Sequence, residues 1–252
     1  MAINETAQAN HDKLFPNHVS TFKETDPEFI EIFDNFTFDE VLKYSKIDDN
    51  LRMKVTLASL IAMQCLNEYK AMISAALNIG VTPIEIKEIV YQAVPYVGLG
   101  KVFDFLNATN DVFRSLGLDE KQAGQSTTDP DNRYENGLKT VRGIAGDSVD
   151  KMLKNAPKNQ QHFAKFLADN CFGDYYTRNG LDVQTREKLT FSMLISLGGA
   201  DPQVKGHIAA NTNVGNSKQD LLDIVTVLLP FIGYPRTLTA INLLNEVIPE
   251  TK

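Results

Sequence analysis

The chain writes one helical unit twice. The stretches CLNEYKAMISAALNIG (65–80) and ADPQVKGHIAANTNVG (200–215) have equal length and share a lysine, a central alanine and an Asn-x-Gly end. Placing Gly215 on Gly80, a shift of 135 positions, also places Pro230 on Pro95, Gly233 on Gly98 and Arg236 on Lys101. Upstream the shift falls to 134, and Arg186, Lys188, Thr190 and Leu194-Ile195 meet Arg52, Lys54, Thr56 and Leu60-Ile61. The slip falls where Gly198-Gly199 faces Gln64, as expected of a turn. Self-similarity at this period marks one structural unit used twice.

The unit is all-α. Leu51–Met63 and Leu189–Leu197 are almost wholly apolar, which predicts helices buried on most sides. Gly80 and Gly215 are placed to close the next helix as left-handed caps. Thr82-Pro-Ile-Glu85 and Ser217-Lys-Gln-Asp220 then spell capping boxes. The helix after each box is expected to end or kink at Pro95 or Pro230. A last helix follows from about Leu99 or Tyr234, and no segment reads as a strand. Residues 117–132 are polar and rich in Gly, Ser, Thr and Pro, which is linker chemistry. The organisation is an N-terminal copy over 12–116, the linker 117–132, and a C-terminal copy over 133–252.

Composition narrows the partners. The formal net charge is -7 with no dense basic run, which argues against nucleic acid and anionic membranes. The N-terminal segment is polar, with no apolar stretch of signal-peptide type, and no apolar run of about 18 residues is seen. Cys65 and Cys171 form no CxxC, so a reducing, cytoplasmic setting is expected. No phosphate-binding glycine loop occurs.

The segment FGDYYTRNGLDVQTREKLTFSMLISLGGADPQVKGHIAANTNVG, followed by PFIGYPRTLTAINLLNEV, resembles the carboxymuconolactone decarboxylase family. TDPEFIEIFDNFTFDEV, ALNIGVTPIEIKEIVYQAVPYVG and KVFDFLNATNDV resemble the N-terminal copy of its tandem members. The resemblance implies a tandem duplication of an AhpD-like helical bundle. The redox branch of that superfamily carries C-x-x-C-x-x-x-H. Here Ala200-Asp-Pro-Gln203 occupies the dithiol positions, with His207 at the histidine, and the first copy offers Cys65-Leu-Asn-Glu68 and Met72. Neither copy has the second thiol that disulfide exchange needs, so a dithiol peroxidase is disfavoured.

The family's upstream glutamate matches Glu187, whose counterpart in the first copy is Met53. The resemblance therefore casts Glu187 and His207 as the catalytic pair and leaves the first copy a structural partner, its pocket filled by Met53 and Met72. An imidazole gives and takes protons near neutral pH. In an ideal antiparallel hairpin the two residues differ in height, so direct contact requires a crossing tilt, a bridging water or another pairing. Candidate groups for an anionic substrate are Arg186, Tyr176, Gln203 and Lys205, with Arg178 and Arg236 nearby in sequence. Arg186 has a match in Arg52, which favours a structural role common to both copies, while Tyr176 faces Leu42 and is peculiar to the second. Cys171 reads as a small buried hydrophobe.

The implied reaction is cofactor-free decarboxylation of a carboxymuconolactone to an oxoadipate enol-lactone and CO2, in aromatic-acid breakdown. A lyase, isomerase or hydrolase acting on another small lactone or keto acid, or a non-catalytic oligomeric protein, are the alternatives. The resemblance also implies ring assembly, in which three two-copy chains imitate a hexamer.

Overall fold

A computed structural model describes residues 2–16 and 18–250; the 252 end of the C-terminal copy lies outside the described residues. The N-terminal copy runs α1 (Glu5–Leu14), α2 (Phe22–Thr25), α3 (Pro27–Asn35), a π-helical turn (Phe36–Glu40), a 3-10 turn (Val41–Tyr44), α4 (Asp49–Met63), α5 (Leu66–Asn78), α6 (Pro83–Val97) and α7 (Leu99–Ser115). The C-terminal copy runs α8 (Arg133–Ala145), α9 (Ser148–Asn155), α10 (Gln161–Phe166), a longer π-helical segment (Leu167–Tyr176), α11 (Val183–Leu197), α12 (Asp201–Asn213) and α13 (Lys218–Val247). Among the described residues there is no strand.

The repeat survives to the residue where the chain has local start and stop signals. Asp48 and Asp182 cap α4 and α11 by accepting from the backbone N–H three residues on. Both capping boxes close, on Glu85 and on Asp220. Gly80 and Gly215 take φ of 90° and 94°, a region an L side chain rarely enters. The one-residue slip is resolved at Gln64, which adopts φ 63° alone where Gly198 and Gly199 share the turn.

The prolines do not end their helices. Pro95 lies inside α6 and Pro230 inside α13, and the chain breaks three residues later, at Gly98 (φ 91°) and Gly233 (φ 75°). A proline removes one intrahelical hydrogen bond, whereas a glycine in this conformation redirects the chain. α13 is long and apolar enough to cross a membrane by length and composition. It is nonetheless two helices joined at Gly233, packed on α4, α11 and α12.

The two copies share one core. α4 and α11 lie against each other at its centre, joined by the buried Ser59–Ser196 hydroxyl pair at 2.7 Å. α6 of the first copy packs on α11 of the second, and α13 of the second packs on α4 of the first. Each copy thus lends a helix to the other. α1 begins upstream of residue 12 and buries Ala7, His11 and Leu14. Residues 117–132 are irregular and bond to the second copy, with Thr128 Oγ1 donating to the Gly173 carbonyl at 2.8 Å.

A smaller cluster under α8 holds Leu138, Val141, Cys171, Phe172 and Tyr176. α8 approaches the π-helical segment at Gly137 and Gly173, where a Cβ would overlap the Ala168 and Arg133 carbonyl oxygens. That contact sets where the segment delivers Tyr176.

Candidate active site

Glu187 lies in the second turn of α11 and is fully buried. A carboxylate there must be paired or hydrogen-bonded. His207 Nδ1 meets its Oε2 at 2.8 Å, and the Tyr176 hydroxyl donates to its Oε1 at 2.7 Å. The predicted pair is therefore in direct contact. Asn211 explains how, because its Nδ2 donates to the backbone carbonyls of both Glu187 (3.1 Å) and His207 (2.8 Å). It pins α12 at the level of Glu187, and the two side chains span the remaining offset of one helical turn.

The donors around Glu187 share one direction. Tyr176 gives its only proton to Glu187, so its oxygen accepts from Tyr96 and from Thr190, each at 2.9 Å. Gln92 Nε2 donates to Thr190 Oγ1 at 3.2 Å, and Arg186 Nη1 donates to Gln92 Oε1 at 2.9 Å. Cys171 Sγ lies 3.9 Å from the Tyr96 hydroxyl. Every proton points toward one carboxylate, which is the arrangement an ionised Glu187 demands. A carboxylate at Oε2 fixes the proton of His207 on Nδ1, leaving Nε2 to exchange protons with a substrate. The His207 side chain is 18% exposed and its Nε2 has no partner among the described residues. The Tyr96 ring stands edge-on to the imidazole at 5.4 Å.

Burial pushes the Tyr176 and Tyr96 phenols well above their ordinary range, and nearby acidic groups, Glu187 among them, add to it. Burial also raises the Cys171 thiol to about 12, so it stays protonated and inert, as its reading as a small buried hydrophobe requires. Among the described residues no group of three or more His, Cys, Asp or Glu is arranged to hold a metal ion.

The other candidates separate. Arg186 is not a substrate anchor. It is fully buried, and its Nη2 bonds Glu88 Oε2 at 2.9 Å and the carbonyls of Arg178 and Asn179. Arg178 forks onto the same Glu88 and covers the Tyr91 ring. Tyr176 faces Glu187 rather than open space, so it positions the carboxylate. Lys205 is engaged by Glu246 at 2.8 Å and, two residues from His207, points elsewhere on α12. Gln203 is exposed one turn before His207 on the same helical face. Arg236 lines a separate cavity by the Gly198-Gly199 turn.

Glu88, Gln92 and Tyr96 escaped the sequence reading. They form a stripe at four-residue spacing on α6 of the other copy. Their counterparts are Asp223, Val227 and Phe231, so the repeat alignment held a signal: polar Gln92 and Tyr96 against apolar Val227 and Phe231. The first copy's pocket shows the reverse. Met53, Met72, Val227 and Phe231 close around a void of about 10 Å³.

The sequence profile of the Carboxymuconolactone decarboxylase family matches residues 27–111 and 161–246. A 4-carboxymuconolactone decarboxylase of Acinetobacter baylyi (strain ATCC 33305 / BD413 / ADP1) is 27% identical over 121 residues, 48% of this chain and 90% of that protein. The crystal structure of a candidate gamma-carboxymuconolactone decarboxylase subunit from Burkholderia xenovorans LB400 superposes with TM-score 0.54 at 16% identity, covering 94% of this chain and 95% of that one. It has the same fold.

Proposed function

The chain belongs to the carboxymuconolactone decarboxylase family, and from that premise we propose that its C-terminal copy decarboxylates a small carboxylated lactone of the 4-carboxymuconolactone type. The observation that carries this reading is the His207–Glu187 contact at 2.8 Å, with Nε2 free and Glu187 held by Tyr176. When the carbon–carboxylate bond breaks, its electron pair flows into the conjugated lactone carbonyl and CO2 leaves. The resulting dienolate needs one proton at carbon. His207, as imidazolium, supplies it from Nε2, and the neutral ring regains a proton from water. The Glu187 carboxylate stabilises the imidazolium and holds its orientation. Gln203, exposed on the same face, is the remaining candidate for a hydrogen bond to substrate.

The test is CO2 release from 4-carboxymuconolactone by the wild type, His207→Ala and Glu187→Gln. The wild type turns over, and both variants lose at least about 100-fold in kcat. Undiminished turnover by His207→Ala refutes the assignment, and ring opening without CO2 makes the protein a hydrolase instead.

The same reading includes self-association as a trimer. Leu99 and Phe103 at the start of α7 are more than half exposed, and so are Tyr234 and Leu238, their counterparts in α13. Two equivalent apolar patches per chain suit a ring in which three chains present six quasi-equivalent units. A monomeric mass by light scattering would remove this part of the proposal.

A further inference from the structure

The N-terminal copy lacks the glutamate and the histidine, yet a cavity of about 440 Å³ opens beside Met72. That is the size of a small-molecule site. Its walls are phenyl rings: Phe15 from the N-terminal arm, Phe29 and Phe33 from α3, Phe38 from the π-helical turn, and Phe231 from the other copy. Phe33 stands edge-on to Phe38 at 6.0 Å and to Phe231 at 6.4 Å, and Phe29 stacks on it at 6.4 Å.

Into this box points Asp34. It is 5% exposed, it lines the cavity, and it makes no hydrogen bond or ion pair with any described residue. Burial pushes its carboxyl up. His11, Lys23 and His18 pull it back only at a distance. Glu68 lines the same cavity from a solvent-exposed position, where partial desolvation pushes its carboxyl up as well. His11 and His18 complete the titratable lining, with His11 Nδ1 engaged by Asp12 at 3.1 Å. In the repeat Asp34 stands where the second copy has Ala168, and Glu68 where it has Gln203. The first copy thus carries acids at two positions where the second has none, and a methionine where the second has its imidazole.

We propose that this cavity binds a small organic amine with an aromatic or aliphatic body, its ammonium held between Asp34 and the phenyl faces. A desolvated carboxylate without a donor is costly, and a charge-assisted N–H bond removes that cost. Phenyl faces attract a cation within about 6 Å of the ring centre. An anion would meet Asp34 and Glu68 directly, and a neutral ligand would gain only apolar burial.

Calorimetric titration of the full-length protein near neutral pH with phenethylamine, phenethyl alcohol and phenylacetate tests this. The amine is expected to bind at least about tenfold more tightly than the alcohol, with phenylacetate weakest. Asp34→Asn, checked for a native melting profile, should bring amine and alcohol within about twofold of each other. Ala71→Phe, which fills the cavity from an exposed helical position, should abolish binding of both. His207→Ala should leave amine binding unchanged, so this proposal and the decarboxylase reading fail separately. Equal binding of amine and alcohol by the wild type, an unchanged ratio in Asp34→Asn, or no binding of any probe at about 10 mM would overturn it.

Discussion

Tyr176→Phe isolates the hinge of the site. The phenol donates to Glu187 Oε1 at 2.7 Å and accepts from Tyr96 and Thr190. Removing the hydroxyl leaves a fully buried carboxylate with His207 as its one remaining side-chain donor. Thr190 still accepts from Gln92, and the Thr190 and Tyr96 hydroxyls each lose one neutral acceptor, a smaller cost than the charge-assisted bond lost at Glu187. A hydrogen bond to a charged acceptor contributes about 1.5–3 kcal/mol, and we expect a loss of about 2–3 kcal/mol. In a chain of this size that lowers Tm by about 5–10 °C. In a Glu187→Gln background the same substitution removes only a neutral bond, about 1 kcal/mol, so the double-mutant cycle should show coupling of about 1–2 kcal/mol. Because Tyr176 holds Glu187 and not substrate, kcat should fall by about 10–100-fold with KM little changed. Additive melting shifts would refute the network, and a raised KM with intact kcat would return Tyr176 to the substrate.

The remaining predictions come from the same connections. Arg186→Met should cost about 3 kcal/mol, measured by denaturant unfolding, because Glu88 loses one of its two arginines; a selective rise in KM without destabilisation would restore Arg186 as an anchor. Stability should fall as pH rises above about 9–10: the folded state holds the protons of Tyr96, Tyr176 and Cys171 above their ordinary ranges, so the unfolded state releases them first. Phenolate absorbance that rises for all eight tyrosines before unfolding would contradict this. Thr56→Val should raise stability by about 1 kcal/mol, since Thr56 Oγ1 is buried without a partner, whereas Thr190→Val should lower it by a similar amount; calorimetric melting decides the signs.

The sequence carried whatever is local. Capping boxes, left-handed glycines and the apolar runs of α4 and α11 are written within a few residues, and they appear where the repeat places them. The Glu187–His207 pairing was legible because the family resemblance and the repeat pointed to the same two positions. What could not be read was docking. Self-similarity says what each unit is, and says nothing of which face meets the other unit. Arg186 therefore stood among the candidates until Glu88 arrived from the other copy to take it, and Tyr96 was not singled out at all. The π-helical segments were equally hidden, because their residues would also suit an α-helix. In the second, the close passage of α8 at Gly137 and Gly173 holds the register.

Interlocking also explains why the asymmetry of the two pockets is so complete. Each pocket takes its glutamate and histidine positions from one copy and its third wall from the other. A polar network in a low-dielectric interior stabilises only when every member is satisfied, and a partly satisfied one is worse than an apolar core. Replacing the first copy's acid and imidazole by Met53 and Met72 therefore required apolar residues on the wall that α13 supplies, and Val227 and Phe231 stand there. Keeping Glu187 and His207 required polar residues on the wall that α6 supplies, and Gln92 and Tyr96 stand there. Thr56 is the exception, its Oγ1 buried without a partner at the position where Thr190 is held in the second copy, whereas the Nε atoms of Arg52 and Arg186 are unpartnered alike. The Thr56 hydroxyl is stranded because its neighbours on the α13 wall, Val227 and Phe231, offer it no hydrogen-bonding group.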